Sequence, residues 1–170
     1  MFSVNDVVVI RSIYGADKAR RDDRDTSGAS ATVKQGEPIK KGGAAGNYAI
    51  LLANGDIVLA AGGTDVFLGV CAQESTETAT ANGVVVYDIV GPGTVLRAKP
   101  TTSTNMNTDA LLLGLEQDYV SFDLVSGAFT IDEDEGDNAD QILFIKGGDI
   151  VKLTLDVFVR SSATIFGVGL

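Results

Sequence analysis

The stretch DIVKLTLDVFVR, residues 149–160, shows the clearest periodicity in the chain. Every second side chain is apolar: Val151, Leu153, Leu155, Val157 and Val159. A period of two residues over this length is typical of an antiparallel strand with one buried face and one solvated face. We therefore predict a strand over residues 149–160 whose five alternating apolar side chains face the core.

Phe158 interrupts the polar face of this predicted strand. The other members of that face are Lys152, Thr154, Asp156 and Arg160. A phenylalanine among polar side chains is expected where a second surface covers it, and sheets with several short strands need their edges covered. We therefore predict that Phe158 is a contact between subunits of an oligomer.

Short β-branched and aromatic runs recur along the rest of the chain, separated by turn residues. Candidate strands lie at residues 7–14, 49–53, 56–60, 65–70, 83–90, 94–98, 118–125, 128–131 and 141–145. Predicted turns are Asn54-Gly55, Gly91-Pro92-Gly93, Ser126-Gly127 and Lys146-Gly147-Gly148. A helical turn is plausible only over residues 106–117. The pattern predicts an all-β protein, an antiparallel β-sandwich or small β-barrel with an extended N-terminal arm.

The length of 170 residues suits one ordinary domain with its own core. Residues 1–30 are interpreted as an N-terminal strand and polar arm, and residues 31–170 as a single all-β domain. Residues 15–30 are almost wholly polar, small or charged and have no apolar face to bury. This segment is either a solvated flexible tail or a part that becomes ordered on another protein.

Four cations in the arm are candidates for binding a protein partner: Lys18, Arg20, Arg21 and Arg24. They would meet carboxylates on that partner. Four aspartates interleave with them, at positions 17, 22, 23 and 25. This cancellation of charge makes the arm a poor nucleic-acid ligand, because neutralising phosphates requires clustered cations.

The charge of the whole chain also argues against a nucleic-acid partner. The net charge is −10 and the isoelectric point is about 4.3. Residues 1–41 carry 8 basic and 6 acidic side chains, a net of +2, whereas residues 42–170 carry 5 and 17, a net of −12. A mildly basic N-terminal part therefore precedes a strongly acidic body.

Residues suited to catalysis are scarce. The chain has no histidine, which removes the usual general base near neutral pH and the commonest zinc ligand. Cys71 is the only cysteine, so no intrachain disulfide forms, and its setting in FLGVCA predicts a small buried thiol. We expect no enzyme activity and no cofactor.

Neither a signal peptide nor a membrane span is expected. The N-terminus has an apolar run of only four residues, Val7 to Ile10. The longest apolar run, residues 48–53, is far shorter than a membrane-crossing helix. We expect a soluble protein that is made in the cytoplasm and has no membrane partner.

The segment IDEDEGDNAD, residues 131–140, concentrates six carboxylates and is the strongest candidate for a cation site. It does not match an EF-hand loop. Counted from Asp132, glycine falls at position 5 rather than 6, and position 12 is Leu143 rather than glutamate. The favoured interpretation is a solvated acidic loop, with a calcium-dependent binding module as the alternative.

Two stretches carry a resemblance to a known family. GDIVLA at residues 55–60 and DVFLGVCAQESTETATANGVVVYDIVGPGTVLRA at residues 65–98 resemble the core pattern of tailed-bacteriophage head decoration proteins, also called capsid cement proteins. In that pattern a strand ends in Phe-Leu/Ile-Gly-Val-Ala, with Cys71 here at the alanine position. A polar link, an alternating valine strand and a glycine turn follow. The resemblance covers roughly residues 36–100.

The resemblance implies a virion structural protein that decorates and stabilises a phage capsid by binding the lattice of the major capsid protein. It also implies a homotrimer on the capsid exterior, made in the host cytoplasm. Residues 73–83 would then be a plain turn-forming link between core strands. Two alternatives remain open: a tail-tube or head–tail connector subunit, and a calcium-dependent binding module.

Overall fold

The computed structural model describes residues 7–11, 19–23, 32–41, 49–51, 67–76, 84–134 and 141–160. Antiparallel strands dominate these ranges, which also include one 3₁₀ helix and one short α-helix. The predicted all-β class is confirmed.

The strands are β1 Val8–Arg11, β2 Ala19–Asp23, β3 Thr32–Val33, β4 Pro38–Lys41, β5 Ala49–Leu51, β6 Phe67–Gln73, β7 Ser75–Thr76, β8 Val84–Ile89, β9 Val95–Ala98, β10 Tyr119–Val125, β11 Ala128–Asp132, β12 Leu143–Asp149 and β13 Thr154–Val159. A 3₁₀ helix, Ser103–Met106, and helix α1, Asp109–Leu115, separate β9 from β10.

The larger sheet has six strands in the order β1-β9-β13-β12-β10-β11. Its far edge curls back towards β9. The Ile131 amide donates to the Lys99 carbonyl at 2.8 Å, and the Thr101 amide donates to the Ile131 carbonyl at 2.8 Å. Because residues 99–101 continue from β9, these bonds turn the strands from β9 to β11 into a partly closed barrel.

The smaller main sheet has the order β2-β8-β6-β4-β5, and β3 pairs with β7 as a separate ribbon. Strand β6 is central and buried on both faces. Its pairing with β4 skips Leu68, since Ile39 lies opposite Gly69 and Lys40 opposite Phe67. This bulge breaks the alternation, so Phe67 and Val70 join the main core while Leu68 joins a second, smaller core.

The main core lies between the six-stranded sheet and the five-stranded sheet. The rings of Phe67 and Phe122 meet edge to face with centroids 5.7 Å apart, and Phe122 meets Phe129 in the same way at 6.5 Å. Met106 and the inner leucines of α1, Leu112 and Leu115, also pack against this core. The second core contains Val33, Ile39, Leu68, Cys71 and Tyr87.

Two predicted turns are confirmed by their geometry. Residues 91–94 form a turn closed by the Thr94 amide on the Gly91 carbonyl at 3.0 Å, and Gly93 has a φ of 80°. Proline before such a glycine is the signature of a type II turn. Ser126 and Gly127 both have positive φ, 53° and 80°, as a tight two-residue hairpin requires.

The predicted strand over residues 149–160 is wrong in its first half. Strand β13 begins only at Thr154, and residues 150–153 form the turn that joins β12 to β13. Val151 is 88% exposed and Leu153 lies at a φ of 52°. The turn predicted at Lys146-Gly147-Gly148 is also wrong, because β12 continues through these residues to Asp149. Leu155, Val157 and Val159 face the core as predicted.

The helix predicted over residues 106–117 is present but shorter. Helix α1 starts after Thr108, whose hydroxyl accepts the Leu111 amide. The predicted hairpin around Asn54-Gly55 lies outside the described residues except for β5, which pairs with β4. The prediction that residues 73–83 are a plain turn-forming link is wrong at the beginning of this segment. Residues 75–76 form β7, which pairs with β3.

The polar N-terminal segment has a pairing partner within the chain. Residues 19–23 form β2, which runs antiparallel to β8 from Ala19 opposite Asp88 to Asp23 opposite Val84. Strand β1 pairs in the same manner with β9. Backbone hydrogen bonding therefore gives this stretch an extended conformation although its side chains lack an apolar pattern.

Candidate interaction surface

The cations predicted to bind a partner are only partly described. Arg20 and Arg21 lie in β2, opposite Tyr87 and Val86 of β8. This strand is an outer strand of its sheet as far as the structure describes it. Lys18 and Arg24 lie outside the described residues. The prediction that these four side chains bind a partner stays a prediction.

Phe158, the predicted subunit contact, lies beside two other aromatic residues. In β12, Phe144 is directly opposite Phe158, and in β10, Tyr119 is opposite Phe144. The rings of Tyr119 and Phe144 have centroids 5.5 Å apart. All three side chains are half-buried. We call Tyr119, Phe144 and Phe158 the aromatic row; it crosses three adjacent strands.

The alternation of the three strands places this row on the outer face of the large sheet. The neighbours of Phe144 in β12, Leu143 and Ile145, are fully buried in the main core. In β13 the neighbours of Phe158, Val157 and Val159, are likewise buried in the main core. Because successive strand residues point to opposite faces, Phe144 and Phe158 face away from that core.

Two cations lie over this row. The Lys146 ammonium is 5.9 Å from the centroid of the Phe158 ring, and the Arg160 guanidinium carbon is 4.4 Å from that of Tyr119. Such contacts contribute about 0.5–1 kcal/mol each at exposed sites. Arg160 also donates from Nη1 to the Gln141 carbonyl at 2.6 Å, which holds the guanidinium over the ring.

A salt bridge borders the row on β13 and β9. Arg97 donates from Nε and Nη2 to the two carboxylate oxygens of Asp156, at 2.6 and 2.7 Å. These hydrogen bonds raise the pKa of Arg97, against the opposing effect of desolvation. The two residues are cross-strand partners. Asp156 is therefore held by Arg97.

Lys146 has an exposed side chain. Within the described ranges, no carboxylate forms an ion pair with it, and its interaction is with the Phe158 ring. The aromatic row therefore carries two cations, Lys146 and Arg160, over two of its three rings.

The acidic segment contains one buried carboxylate, that of Glu133, whereas Asp134 is exposed. Glu133 is only 4% exposed, and its carboxylate accepts three hydrogen bonds. The donors are the amides of Thr101 and Thr102, at 2.8 and 2.9 Å, and Asn105 Nδ2 at 3.0 Å. Glu133 thus fixes the chain between β9 and the 3₁₀ helix. The prediction of a solvated loop is wrong for this residue because backbone amides replace water around its carboxylate.

Of the candidate cation site at residues 131–140, the structure describes only residues 131–134. No group of three or more potential ligands comes together among those residues. Glu135, Asp137 and Asp140 lie outside them.

Cys71 is buried as predicted. Its thiol donates to the Gln73 carbonyl at 3.0 Å. Among the described residues, no helix is both long enough and apolar enough to cross a bilayer.

Sequence reasoning identified Phe158 but missed Tyr119, Phe144, Lys146 and Arg160 as its neighbours. A signal was present in QILFIK, where Phe144 occupies the position between the buried Leu143 and Ile145. Two phenylalanines at outward positions of consecutive strands predict a cross-strand pair, provided that the register is known. The register between β12 and β13 was not predictable, because the sequence pattern placed the turn between them at residues 146–148. The turn lies four residues later, at residues 150–153.

No protein-family model matches the chain, and neither the curated proteins nor the solved structures give a match.

Proposed function

We propose that the protein is a virion structural protein that decorates a tailed-phage capsid by binding the lattice of its major capsid protein. The proposal starts from the sequence resemblance at residues 36–100, and it requires no catalytic residue. It places the protein on the capsid exterior as a small closed oligomer, a homotrimer as the resemblance implies.

The observation that carries the proposal is the packing of the motif Phe67-Leu68-Gly69-Val70. This motif forms the middle of β6, buried on both faces between two cores. A side chain at Gly69 would overlap the carbonyl oxygen of Asp88 and lie 2.8 Å from Tyr87 Cδ2. The motif therefore contributes to a densely packed body, which is what a protein needs if it stiffens a shell without chemistry.

The N-terminal cations are the proposed contact with the shell. Lys18, Arg20, Arg21 and Arg24 would meet carboxylates of the major capsid protein. Exposed ion pairs each contribute only about 0.2–1 kcal/mol, so one arm binds weakly by itself. Several arms in one closed oligomer bind together, and the second and third contacts then benefit from a high effective concentration.

The test is cosedimentation of the full chain with phage heads assembled without it. We expect saturable binding with a fixed number of copies per head. Replacing all four arm cations with glutamate should weaken binding at least tenfold. A control variant that reverses two exposed lysines elsewhere, Lys34 and Lys99, should bind nearly as the wild type does.

Three outcomes would contradict the proposal in different ways. No binding to heads at any concentration would remove the decoration role. Polymerisation into stacked rings or tubes would favour a tail-tube subunit. Equal binding by the arm variant and the wild type would leave decoration in place and move the shell contact to another surface.

A further inference from the structure

The chain between β9 and β10 forms a strap that covers part of the main core. We define the strap as residues 102–116, which include the 3₁₀ helix and α1. The large sheet holds both of its ends. Just before the strap, the Thr101 amide donates to the Ile131 carbonyl at 2.8 Å, and just after it, the Gln117 amide donates to the Ile145 carbonyl at 2.9 Å. The strap is therefore a loop whose two attachment points lie in the sheet.

The packing of the strap on the core is light. In this segment, all of which the structure describes, Met106 is the one fully buried side chain. The inner residues of α1, Leu112 and Leu115, are only half-buried, and Leu113 is 68% exposed. Gly114 lies inside this helix, where glycine is less stable than alanine. A short helix depends on tertiary packing for its stability, so this one is expected to be among the less stable elements of the fold.

One carboxylate from outside the strap holds its first turn. Glu133 follows β11 directly and accepts the amides of Thr101 and Thr102 and the side-chain amide of Asn105, at 2.8, 2.9 and 3.0 Å. Thr102 is the N-cap of the 3₁₀ helix and makes no capping hydrogen bond with its own side chain. Loss of the buried carboxylate would leave these donors without their acceptor, which is costly away from water.

Backbone strain lies at the other end of the strap. Gln117 has a φ of 80°, in the left-handed region that is unfavourable for residues other than glycine. Such strain persists only where the surrounding structure holds it, and it is common in segments that switch between conformations. Opening of the strap would allow Gln117 to leave this conformation, so the strain favours the open form.

We propose that the strap opens as a unit while both large sheets stay folded, and that Glu133 is the clasp that keeps it closed. In the open form Met106 leaves the main core, and the apolar side chains beneath it become accessible. The fold thus has a hinged cover over part of its core. This property does not depend on whether the protein decorates a capsid.

The experiment is native-state hydrogen exchange of the full chain at low, increasing concentrations of urea. Three amides report on the strap because they donate within it, those of Asn105, Leu112 and Glu116. Two amides report on the sheets. The Val159 amide donates to the Thr94 carbonyl in the six-stranded sheet, and the Val90 amide donates to the Leu68 carbonyl of β6 in the five-stranded sheet.

Three variants test the clasp, and circular dichroism checks that each one folds. Glu133→Gln keeps the shape of the side chain but replaces one acceptor oxygen with a donor. Asn105→Ala is milder, because it removes one of the three hydrogen bonds. Asp134→Asn is the matched control. It loses the same charge at an exposed neighbour whose bond to Asn105 is long, at 3.4 Å.

In the wild type, we expect the three strap amides to share one opening free energy and one urea dependence. They should exchange about a hundredfold or more faster than the two sheet amides. Glu133→Gln should speed exchange in the strap about tenfold or more relative to the sheets, since buried donors lose their acceptor. Asn105→Ala should have a smaller effect in the same direction, and Asp134→Asn should change exchange by less than about threefold.

The proposal is overturned if the strap amides exchange only as fast as the sheets, because the strap would then open only on global unfolding. Three different opening free energies would also overturn it, since they indicate independent fraying instead of one unit. If Glu133→Gln speeds strap and sheet amides equally, the carboxylate stabilises the whole domain and is not a clasp. If Glu133→Gln does not fold, Asn105→Ala decides the same question, and unchanged strap exchange in that variant removes the clasp.

Discussion

The two halves of residues 149–160 have the same alternating sequence and opposite environments. In the second half, Leu155 and Val157 are fully buried in the main core. In the first half, Val151 is almost fully exposed and Leu153 is in a left-handed conformation. Hydrophobic periodicity is therefore sufficient to select a face only where the chain is already paired in a sheet.

Local hydrogen bonds explain why the first half leaves the strand pattern. One carboxylate oxygen of Asp149 accepts the amides of Val151 and Lys152, both at 3.0 Å, and the other oxygen pairs with the Lys152 ammonium at 3.2 Å. An aspartate that binds amides two and three residues ahead favours a turn over an extended strand. The apolar residues that follow Asp149 are then placed at the tip of a hairpin.

The largest expected effect separates the two halves directly. Leu155→Ala removes a fully buried side chain and leaves a cavity, so we expect a loss of about 2–5 kcal/mol in the free energy of unfolding. Val151→Ala removes an exposed side chain and should change stability by less than about 0.5 kcal/mol. Urea denaturation of both variants measures the difference. Similar losses for the two would show that Val151 is buried in solution.

An intermediate effect is expected where β12 passes the start of β13. A methyl group at Gly148 would overlap the Thr154 carbonyl oxygen and lie 3.2 Å from Leu112 Cδ1. Because the obstacle includes backbone, Gly148→Ala should cost about 1–3 kcal/mol, the usual range for overpacking. Thermal and urea denaturation provide the measurement.

Gly114→Ala is the control for this change, because nothing lies within 4 Å of its added methyl group. Alanine is favoured over glycine inside helices by roughly 0.5–1 kcal/mol, so this variant should be slightly more stable than the wild type. A neutral result for Gly148→Ala would mean that the hairpin starts at residues 146–148, as the sequence alone suggested.

The smallest effect concerns the hairpin tip and its dependence on pH. Hydrogen bonds from Lys152, first from its backbone amide and then from its ammonium, lower the pKa of Asp149 below the ordinary value of 3.8. A carboxylate with a lowered pKa stabilises the folded tip above pH 3.8, and this contribution is lost as the pH falls through the lower value.

We therefore expect the amide resonances of Val151 and Lys152 to titrate together with a midpoint below 3.8. Asp149→Ala should abolish this transition and speed amide hydrogen exchange at both positions, with little change in the global free energy of unfolding. A midpoint at or above 3.8 would argue against the hydrogen-bonded turn.

Much of the fold was predictable because it depends on short-range signals. Proline before glycine at residues 92–93 and the Ser126-Gly127 pair each specify a turn through backbone conformation alone. Strands β8 to β11 and the buried Cys71 follow from apolar runs between such turns. Strand β2 was not predictable in this manner, because ARRDD has neither apolar alternation nor high strand propensity and is paired only through its backbone with β8.

The candidate surface was predictable only in part. Phe158 was identifiable because one side of its strand pattern contained a single aromatic residue. Its neighbours Tyr119 and Phe144 come from strands about 40 and 14 positions earlier, and their register depends on where β12 ends. The role of Glu133 was not predictable from local sequence, because its hydrogen-bond donors lie some 30 residues away, at positions 101, 102 and 105.

The sequence by itself determined the all-β class, the excess of negative charge, the tight turns and the inward face of residues 155–159. These properties depend on neighbouring residues, whose preferences act over one turn or one strand. Only the tertiary structure decided that Val151 is exposed, that Glu133 is buried and that three aromatic side chains form one row under two cations. Those outcomes depend on strand register and on hydrogen bonds between distant segments, which no local pattern specifies.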